Sequence, residues 1–255
     1  MAVAGRMAPI ADRNAPLARR NPVAKLGAAA VLALALVVSL DPVGPAVALV
    51  VELFAVPFFG IRYGALARRM WPLLISVAGA EVTLLLFAAE REHIVASALA
   101  LGLRLLAVAL PGVLVFATTD PTDLADALVQ NARVSPRFAI GTLAAWRLVP
   151  LLGDEWRLIN AARRARGVEG GRNPVARLRL FASASFTLLV GAIRRGTRLA
   201  TAMDARGFDS GARRTSARTQ RFVRADAALV AGACALAALA VGASVGSGAF
   251  RPLFS

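Results

Sequence analysis

The stretch IVASALALGLRLLAVALPGVLVFAT, residues 94–118, contains 25 residues and a single charged side chain, that of Arg104. A helix needs roughly 20 apolar residues to cross a bilayer, so this stretch predicts a transmembrane helix. Further apolar runs lie on both sides of it, at residues 26–40, 43–60, 71–89 and 225–247. With 58% hydrophobic residues and a mean hydropathy of +0.64, the chain is predicted to be an all-α, polytopic membrane protein with about five transmembrane helices.

The basic residues are distributed unevenly along this pattern. The net charge is +15, and 27 of the 30 lysines and arginines lie before the first apolar run, between the second and third runs, or within residues 119–224. Cytoplasmic loops of membrane proteins carry an excess of Lys and Arg. We therefore expect a cytoplasmic N terminus, an extracytoplasmic C terminus and a cytoplasmic insertion of about three helices before the last span.

This topology predicts three regions. Residues 1–118 are expected to form the N-terminal tail and transmembrane helices 1–4. Residues 119–221 are expected to form the cytoplasmic helices, and residues 222–255 the last transmembrane helix and the C-terminal tail.

The composition excludes several kinds of site. The chain has one cysteine, Cys234, one histidine, His93, and one lysine, Lys25. A disulfide framework or a Cys/His metal cluster built within the chain needs more of these residues, and a P-loop needs its Lys in a Gly-rich loop followed by Ser or Thr. These counts therefore exclude a disulfide framework, a Cys/His metal cluster built within the chain and ATP hydrolysis through a P-loop.

The insertion contains start and stop signals for helices. Asp120, Ser135 and Asn173 each precede a proline, so that each places a capping side chain before a residue suited to the first helical position. Predicted helices therefore cover residues 121–131, 136–166 and 174–206. The last two end at Ala-Arg-Gly, at 165–167 and 205–207, where Gly167 and Gly207 can adopt the left-handed conformation that closes a helix. Pro150 is expected to kink the second helix.

Arg166 and Arg206 each extend an apolar stripe. Counting back in sevens, Arg166 follows Ile159 and Leu152, and Arg206 follows Leu199 and Ala192. Arginines at a helix C terminus complement the helix dipole and attract anionic lipid, which is one explanation. The other is that each guanidinium enters a socket on another protein, and two such tips indicate a partner with two sockets. Candidate supporting residues are Arg163, Arg164, Asp204 and Pro150.

Three charged residues fall near the middle of the second, third and fourth predicted spans: Glu52, Glu81 and Arg104. Charges within a membrane are expensive and are functional candidates by default. Two interpretations stay open, an acidic pair that meets Arg104 inside the bundle and a proton or ion pathway. The first is preferred because the third and fourth spans offer no relay of further ionisable groups.

An ordered set of motifs resembles the transmembrane (T) component of energy-coupling factor transporters, the modular importers of vitamins and of cobalt or nickel ions. The matching segments are NPVAKL (21–26), TTDPTDLADAL (118–128), RLVPLLGDEWRLINAARRARG (147–167), RRGTRLATAMDARGF (194–208) and RRT (213–215). A single Ala-Arg-Gly carries no information, whereas the ordered set is specific.

The resemblance implies two ATPase subunits as partners, which hold the ATP and contact the paired helix ends. The implied contact residues are Ala165, Arg166, Gly167, Ala205, Arg206 and Gly207. It also implies a separate substrate-binding S component, a lipid bilayer of the plasma membrane (the inner membrane of the cell) and no nucleic acid. In such an assembly the chain itself is expected not to be an enzyme and to have no catalytic, metal or cofactor site of its own. The alternative is a basic membrane anchor or scaffold whose arginine-rich insertion binds anionic lipid or nucleic acid.

Overall fold

The structure, a computed structural model, consists of α-helices without a strand in the part of the chain that it describes, residues 15–38, 41–87, 94–171, 173–208, 210, 216 and 218–248. The helices are α1 (Pro22–Val37), α2 (Val43–Ala55), α3 (Tyr63–Phe87), α4 (Ile94–Thr118), α5 (Pro121–Asn131), α6 (Pro136–Ala165), α7 (Pro174–Ala205) and α8 (Arg224–Gly246). A short 3-10 helix, Pro57–Phe59, follows α2. The predicted all-α fold is confirmed. Residues 1–14 and 249–255 of the predicted tails, residues 88–93 and the RRT segment lie outside the described residues.

Local signals set the helix ends in the insertion. The side chain of Asp120 accepts a hydrogen bond from the backbone N–H of Thr122 at 2.7 Å, and the side chain of Asn173 accepts from Val175 at 3.0 Å. These bonds satisfy backbone donors that a helix leaves unpaired at its start. Consequently α5 and α7 begin at the predicted prolines, and α6 also begins at its predicted proline, Pro136. Pro150 lies inside a continuous α6, and the kink there stays a prediction.

The number of helices long and apolar enough to span a membrane differs from the predicted five. Four described helices meet that requirement, α3, α4, α7 and α8. α1 and α2 contain 16 and 13 residues, which corresponds to about 24 and 20 Å of helix against a hydrocarbon core of roughly 30 Å. The run 43–60 is interrupted because Pro57 starts a 3-10 turn and Gly60 has a left-handed φ of 75°.

α7 has the length and composition of a span although the charge pattern assigned it to the cytoplasmic insertion. It also carries five arginines, at 177, 179, 194, 195 and 198. Hydropathy averaged along a helix therefore does not separate a membrane span from an amphipathic helix with wide apolar faces.

The described residues divide into two compact units. One contains α1–α5 and α8, and the other contains α6 and α7, with divisions after residues 135 and 219. α5 belongs to the first unit because it packs against α1 and its Ala127 is fully buried.

The first unit is held together by small apolar residues where its helices approach each other. Ala28 and Leu32 of α1 pack against Ala233 and Ala237 of α8. A second cluster joins α1, α2, α4 and α8 through Leu36, Ala48, Ala107 and Ala240. Small side chains at these positions allow close approach of the backbones, which favours association of helices in a bilayer.

The unit of α6 and α7 buries little of its apolar surface. Ala139 and Ala184 are its buried hydrophobic residues among those described. Large side chains along both helices are exposed, including Phe138, Leu158, Leu178, Phe181 and Phe186 at 57–70% exposure. Such wide apolar faces indicate that this unit packs against lipid or other proteins.

Candidate functional site

The C terminus of α6 forms a Schellman motif. The backbone N–H of Gly167 donates to the carbonyl of Arg164, and the N–H of Val168 donates to the carbonyl of Arg163, both at 3.0 Å. Gly167 has a φ of 72°. These two bonds satisfy carbonyls that the helix leaves free and place Arg166 at the capping position.

The C terminus of α7 repeats this geometry. The N–H of Gly207 donates to the carbonyl of Asp204 at 2.9 Å, and the N–H of Phe208 donates to the carbonyl of Met203 at 3.1 Å. Gly207 has a φ of 70°. Arg166 and Arg206 therefore leave their helices from equivalent backbone positions, and each is followed by a left-handed glycine.

We expect Gly167→Ala to lower local stability by about 1 kcal/mol, because an alanine is strained at positive φ. A methyl group at Gly167 would meet no atom within 4 Å, so the effect is conformational and not a clash. Amide hydrogen exchange in the last turn of α6 should become faster. Gly153→Ala, which also has an open environment but lies inside the helix, is the matched control and should slow exchange or leave it unchanged.

The candidate contact residues are solvent-exposed. This holds for Ala165, Arg166 and Gly167 at the first helix end and for Ala205, Arg206 and Gly207 at the second. Arg164 and Asp204 are exposed as well, while Pro150 is half-buried inside α6. The exposed guanidinium groups are therefore accessible to a partner.

Arg163 differs from the exposed residues that follow it, because it is half-buried and its side chain is bound to α7. Its guanidinium donates to the carbonyl of Leu180 at 2.7 Å and to Oγ of Ser183 at 3.0 Å, both on α7. The rings of Trp156 and Phe181 meet edge to face nearby, with centroids 5.3 Å apart. These contacts fasten the end of α6 to the start of α7.

A second contact joins the two helices further along. Arg195 of α7 pairs with Glu155 of α6 at 2.9 Å, and their side chains are 42% and 31% exposed. Arg163, near the end of α6, contacts residues near the start of α7, whereas the earlier Glu155 contacts the later Arg195. The two helices therefore run in opposite directions. The two residues are 40 positions apart, so no local sequence pattern predicts this pair.

The two arginine-bearing ends are consequently not adjacent. Arg166 lies in the loop that leads into α7, whereas Arg206 closes the far end of the same helix. α7 contains 32 residues, which corresponds to about 48 Å of helix. The arrangement presents two separate arginines at opposite ends of one long helix.

An open groove of about 1000 Å³ lies where α6 meets the start of α7. Arg157, Arg164 and Arg177 line it together with Asp154 and Glu169. Arg157 pairs with Asp154 on the same helix. Arg164, a predicted supporting residue, thus lies on a strongly charged surface beside the first helix end.

A buried polar cluster in the other unit was also missed by sequence reasoning. Lys25 is 2% exposed, and its Nζ donates to the carbonyl of Thr118 at 3.0 Å, with Oγ1 of Thr118 and of Thr119 at 3.4 and 3.3 Å. Asp226, 1% exposed, accepts from the backbone N–H of Asn21 at 3.0 Å. Residues next to both ends of the insertion are thus bound to the start of α1.

The contacts of the described residues give no support to the expected cluster of intramembrane charges. No ion pair joins Glu52, Glu81 and Arg104 within the described ranges. Glu52 is not at mid-span, because α2 ends at Ala55 and leaves Glu52 in its last turn. Glu81 lies against Gly102 of α4, and Arg104 has Asp41 as its electrostatic neighbour. The interpretation of an acidic pair meeting Arg104 therefore stays a prediction.

Comparison with known families gives a match over most of the chain. The family model described as cobalt transport protein, CbiQ, matches residues 13–217. This match includes both helix ends, the groove and Lys25.

Curated relatives give a consistent result. The chain is 34% identical to the energy-coupling factor transporter transmembrane protein EcfT of Exiguobacterium sibiricum, over 46% of this chain and 48% of that protein. It is 30% identical to EcfT of Leuconostoc gelidum, over 61% of this chain and 58% of that protein. The chain thus spans about half the length of these curated relatives.

A further relative is a putative ABC transporter ATP-binding protein of Bifidobacterium longum. It is 28% identical over 69% of this chain and 22% of that longer protein. The family match alone covers well over half of the chain. The chain therefore belongs to the CbiQ family, the family of the transmembrane T components of energy-coupling factor transporters.

Proposed function

We propose that this chain couples ATP hydrolysis by two partner ATPase subunits to substrate uptake through a separate S component. The observation that carries the proposal is the repeated Schellman motif, which exposes Arg166 and Arg206 from equivalent positions at opposite ends of α7. Two equivalent, separated contacts fit a partner made of two like subunits, each with one socket.

The chemistry of an arginine suits such a socket. A guanidinium is planar, always charged and able to donate two parallel hydrogen bonds to a carboxylate. In the dry groove of a partner these bonds are stronger than in water. An apolar residue follows each glycine, Val168 at one end and Phe208 at the other, and can pack beside the socket.

α6 and α7 provide the mechanical connection. When ATP closes the two ATPase subunits, their sockets move and carry Arg166 and Arg206 with them. The contacts of Arg163 and the Glu155–Arg195 pair transmit the displacement between α6 and α7. The element that changes state is the relative angle of these two helices.

The exposed apolar faces of α6 and α7 are the proposed docking surface for the S component. The transported substrate belongs to the classes handled by such transporters, a vitamin or a transition-metal ion, and the family description of cobalt transport supports the second. The ATP-binding relative supports an ABC-type ATPase as the partner.

The proposed location is the plasma membrane, with a cytoplasmic N terminus and an extracytoplasmic C terminus, as the positive-inside rule predicts. The chain is a non-catalytic subunit in this proposal. It needs no cofactor, because the partner ATPases bind the ATP.

Copurification from mild detergent tests the proposed assembly. We expect two ATPase subunits and one small hydrophobic protein to accompany the chain, and the ligand bound to the small protein to identify the substrate. Association should be lost on single substitution of Arg166 or Arg206. Recovery of nucleic acid or lipid alone, through a salt-sensitive interaction that no single arginine controls, would favour the basic scaffold and contradict the proposal.

A further inference from the structure

A cavity of about 510 Å³ lies within the unit of α1–α5 and α8, which we call the bundle. It is at the end of the bundle where α1 and α8 begin and α2 and α4 end. Its walls are mostly apolar and include Ala28, Leu32, Leu114 and Leu229. Val51 and Phe58 also line it and are 41% and 70% exposed, so the cavity opens on the outer surface of the helices. Its volume and lining are those of sites that bind small apolar molecules with a few polar groups.

Glu52 is the unusual group in this cavity. It is 6% exposed, and neither of its carboxylate oxygens has a hydrogen-bond partner among the described residues. A buried carboxylate without a partner is costly. Lys25 lines the same cavity, but its Nζ donates to the carbonyls of Ala18 and Thr118 and to the hydroxyls of Thr118 and Thr119, and not to Glu52.

Arg20 is another charged residue that lines this cavity. It is half-buried and precedes α1. The cavity therefore combines an acceptor of hydrogen bonds, a donor suited to phosphate and apolar walls. The ends of membrane helices lie near the lipid headgroups, so all three features are at a depth that a phospholipid can reach.

We infer that this cavity binds a phospholipid whose headgroup carries a primary ammonium, of the phosphatidylethanolamine class. The ammonium donates hydrogen bonds to Glu52, the phosphate accepts from Arg20, and one acyl chain covers the apolar wall. The inference concerns the bundle alone and does not depend on the proposed transport function.

The complementary charges distinguish this lipid from other common ones. Phosphatidylcholine has the same net charge and phosphate, but its quaternary ammonium has no N–H to donate. Phosphatidylglycerol offers hydroxyl groups, which do not neutralise a carboxylate. A primary ammonium has three donors and a positive charge. It can therefore both donate hydrogen bonds to the carboxylate of Glu52 and neutralise its charge.

Lipid retention tests the inference without any substitution. The full chain is reconstituted in vesicles containing equal amounts of phosphatidylethanolamine and its N-methyl, N,N-dimethyl and N,N,N-trimethyl (choline) forms. It is then extracted in detergent, and the retained lipids are quantified by mass spectrometry. We expect retention to fall with each methyl group, because each methyl group removes one N–H donor. Phosphatidylethanolamine should be enriched about tenfold over phosphatidylcholine, since loss of a hydrogen bond to a charged group weakens binding on that scale. Equal retention of the four lipids would overturn the inference.

Two variants test whether Glu52 causes the enrichment of phosphatidylethanolamine. Glu52→Gln keeps the size of the side chain but removes its charge, and we expect it to bring the enrichment close to one. Glu81→Gln makes the same change on α3, outside the cavity, and should retain the enrichment. Unchanged enrichment in Glu52→Gln, or stronger retention of phosphatidylglycerol by the unmodified chain, would also overturn the inference.

Discussion

Substrate uptake is expected to fall by at least about 30-fold when Arg166 or Arg206 is replaced by glutamate, because truncating or reversing one partner of a buried charge pair removes affinity on that scale. Both side chains are exposed, and neither makes a side-chain hydrogen bond or an ion pair among the described residues, so the fold should persist. Uptake into cells or proteoliposomes and the amount of protein in the membrane fraction are measured together.

Arg198→Glu provides the matched control for this loss. Arg198 is exposed on α7, eight residues before Arg206, and undergoes the same change of charge. We expect uptake to be retained there. Wild-type uptake by Arg166→Glu or Arg206→Glu would contradict a socket at that position, and an equal loss at Arg198 would indicate a general effect of positive charge.

Lys25→Met is expected to lower the thermal midpoint of unfolding by about 5–10 °C, because hydrogen bonds to a charged group contribute about 1.5–3 kcal/mol. The ammonium binds Thr118 and Thr119 at the point where the chain leaves α4 for the insertion. Asp226, at the point of return, would lose a positive neighbour. Thermal unfolding in detergent micelles measures the change.

The corresponding control is Arg19→Met, which removes an exposed charge six residues before Lys25. A surface substitution of this kind usually changes stability by no more than about 0.5 kcal/mol. A midpoint unchanged in Lys25→Met would show that the buried cluster does not hold the insertion to α1.

Local signals in the sequence predicted where the helices of residues 119–221 begin and end. The bounds of α5, α6 and α7 agree with prediction within one residue, because capping side chains, prolines and left-handed glycines act on their own turn. The exposure of Arg166 and Arg206 follows from their place at a helix end. These features depend on residues within a few positions of each other, which is the range that a sequence pattern reports.

Contacts between distant residues could not be predicted in this way. Lys25 and Thr118 are separated by 93 positions, and no periodicity links them. The short α2 was missed because apolar residues continue past its end, so the run alone indicated a longer helix. That error also placed Glu52 at mid-span instead of beside a cavity.

The most direct measurement of the central claim is a double crosslink. A photo-crosslinking amino acid is placed at 166, at 206, or at both positions of one chain in the assembled complex. Each single position should give the chain plus one ATPase subunit, and the double-labelled chain should give a product with two. Products limited to lipid, or a double-labelled chain that captures one ATPase subunit at most, would contradict the account.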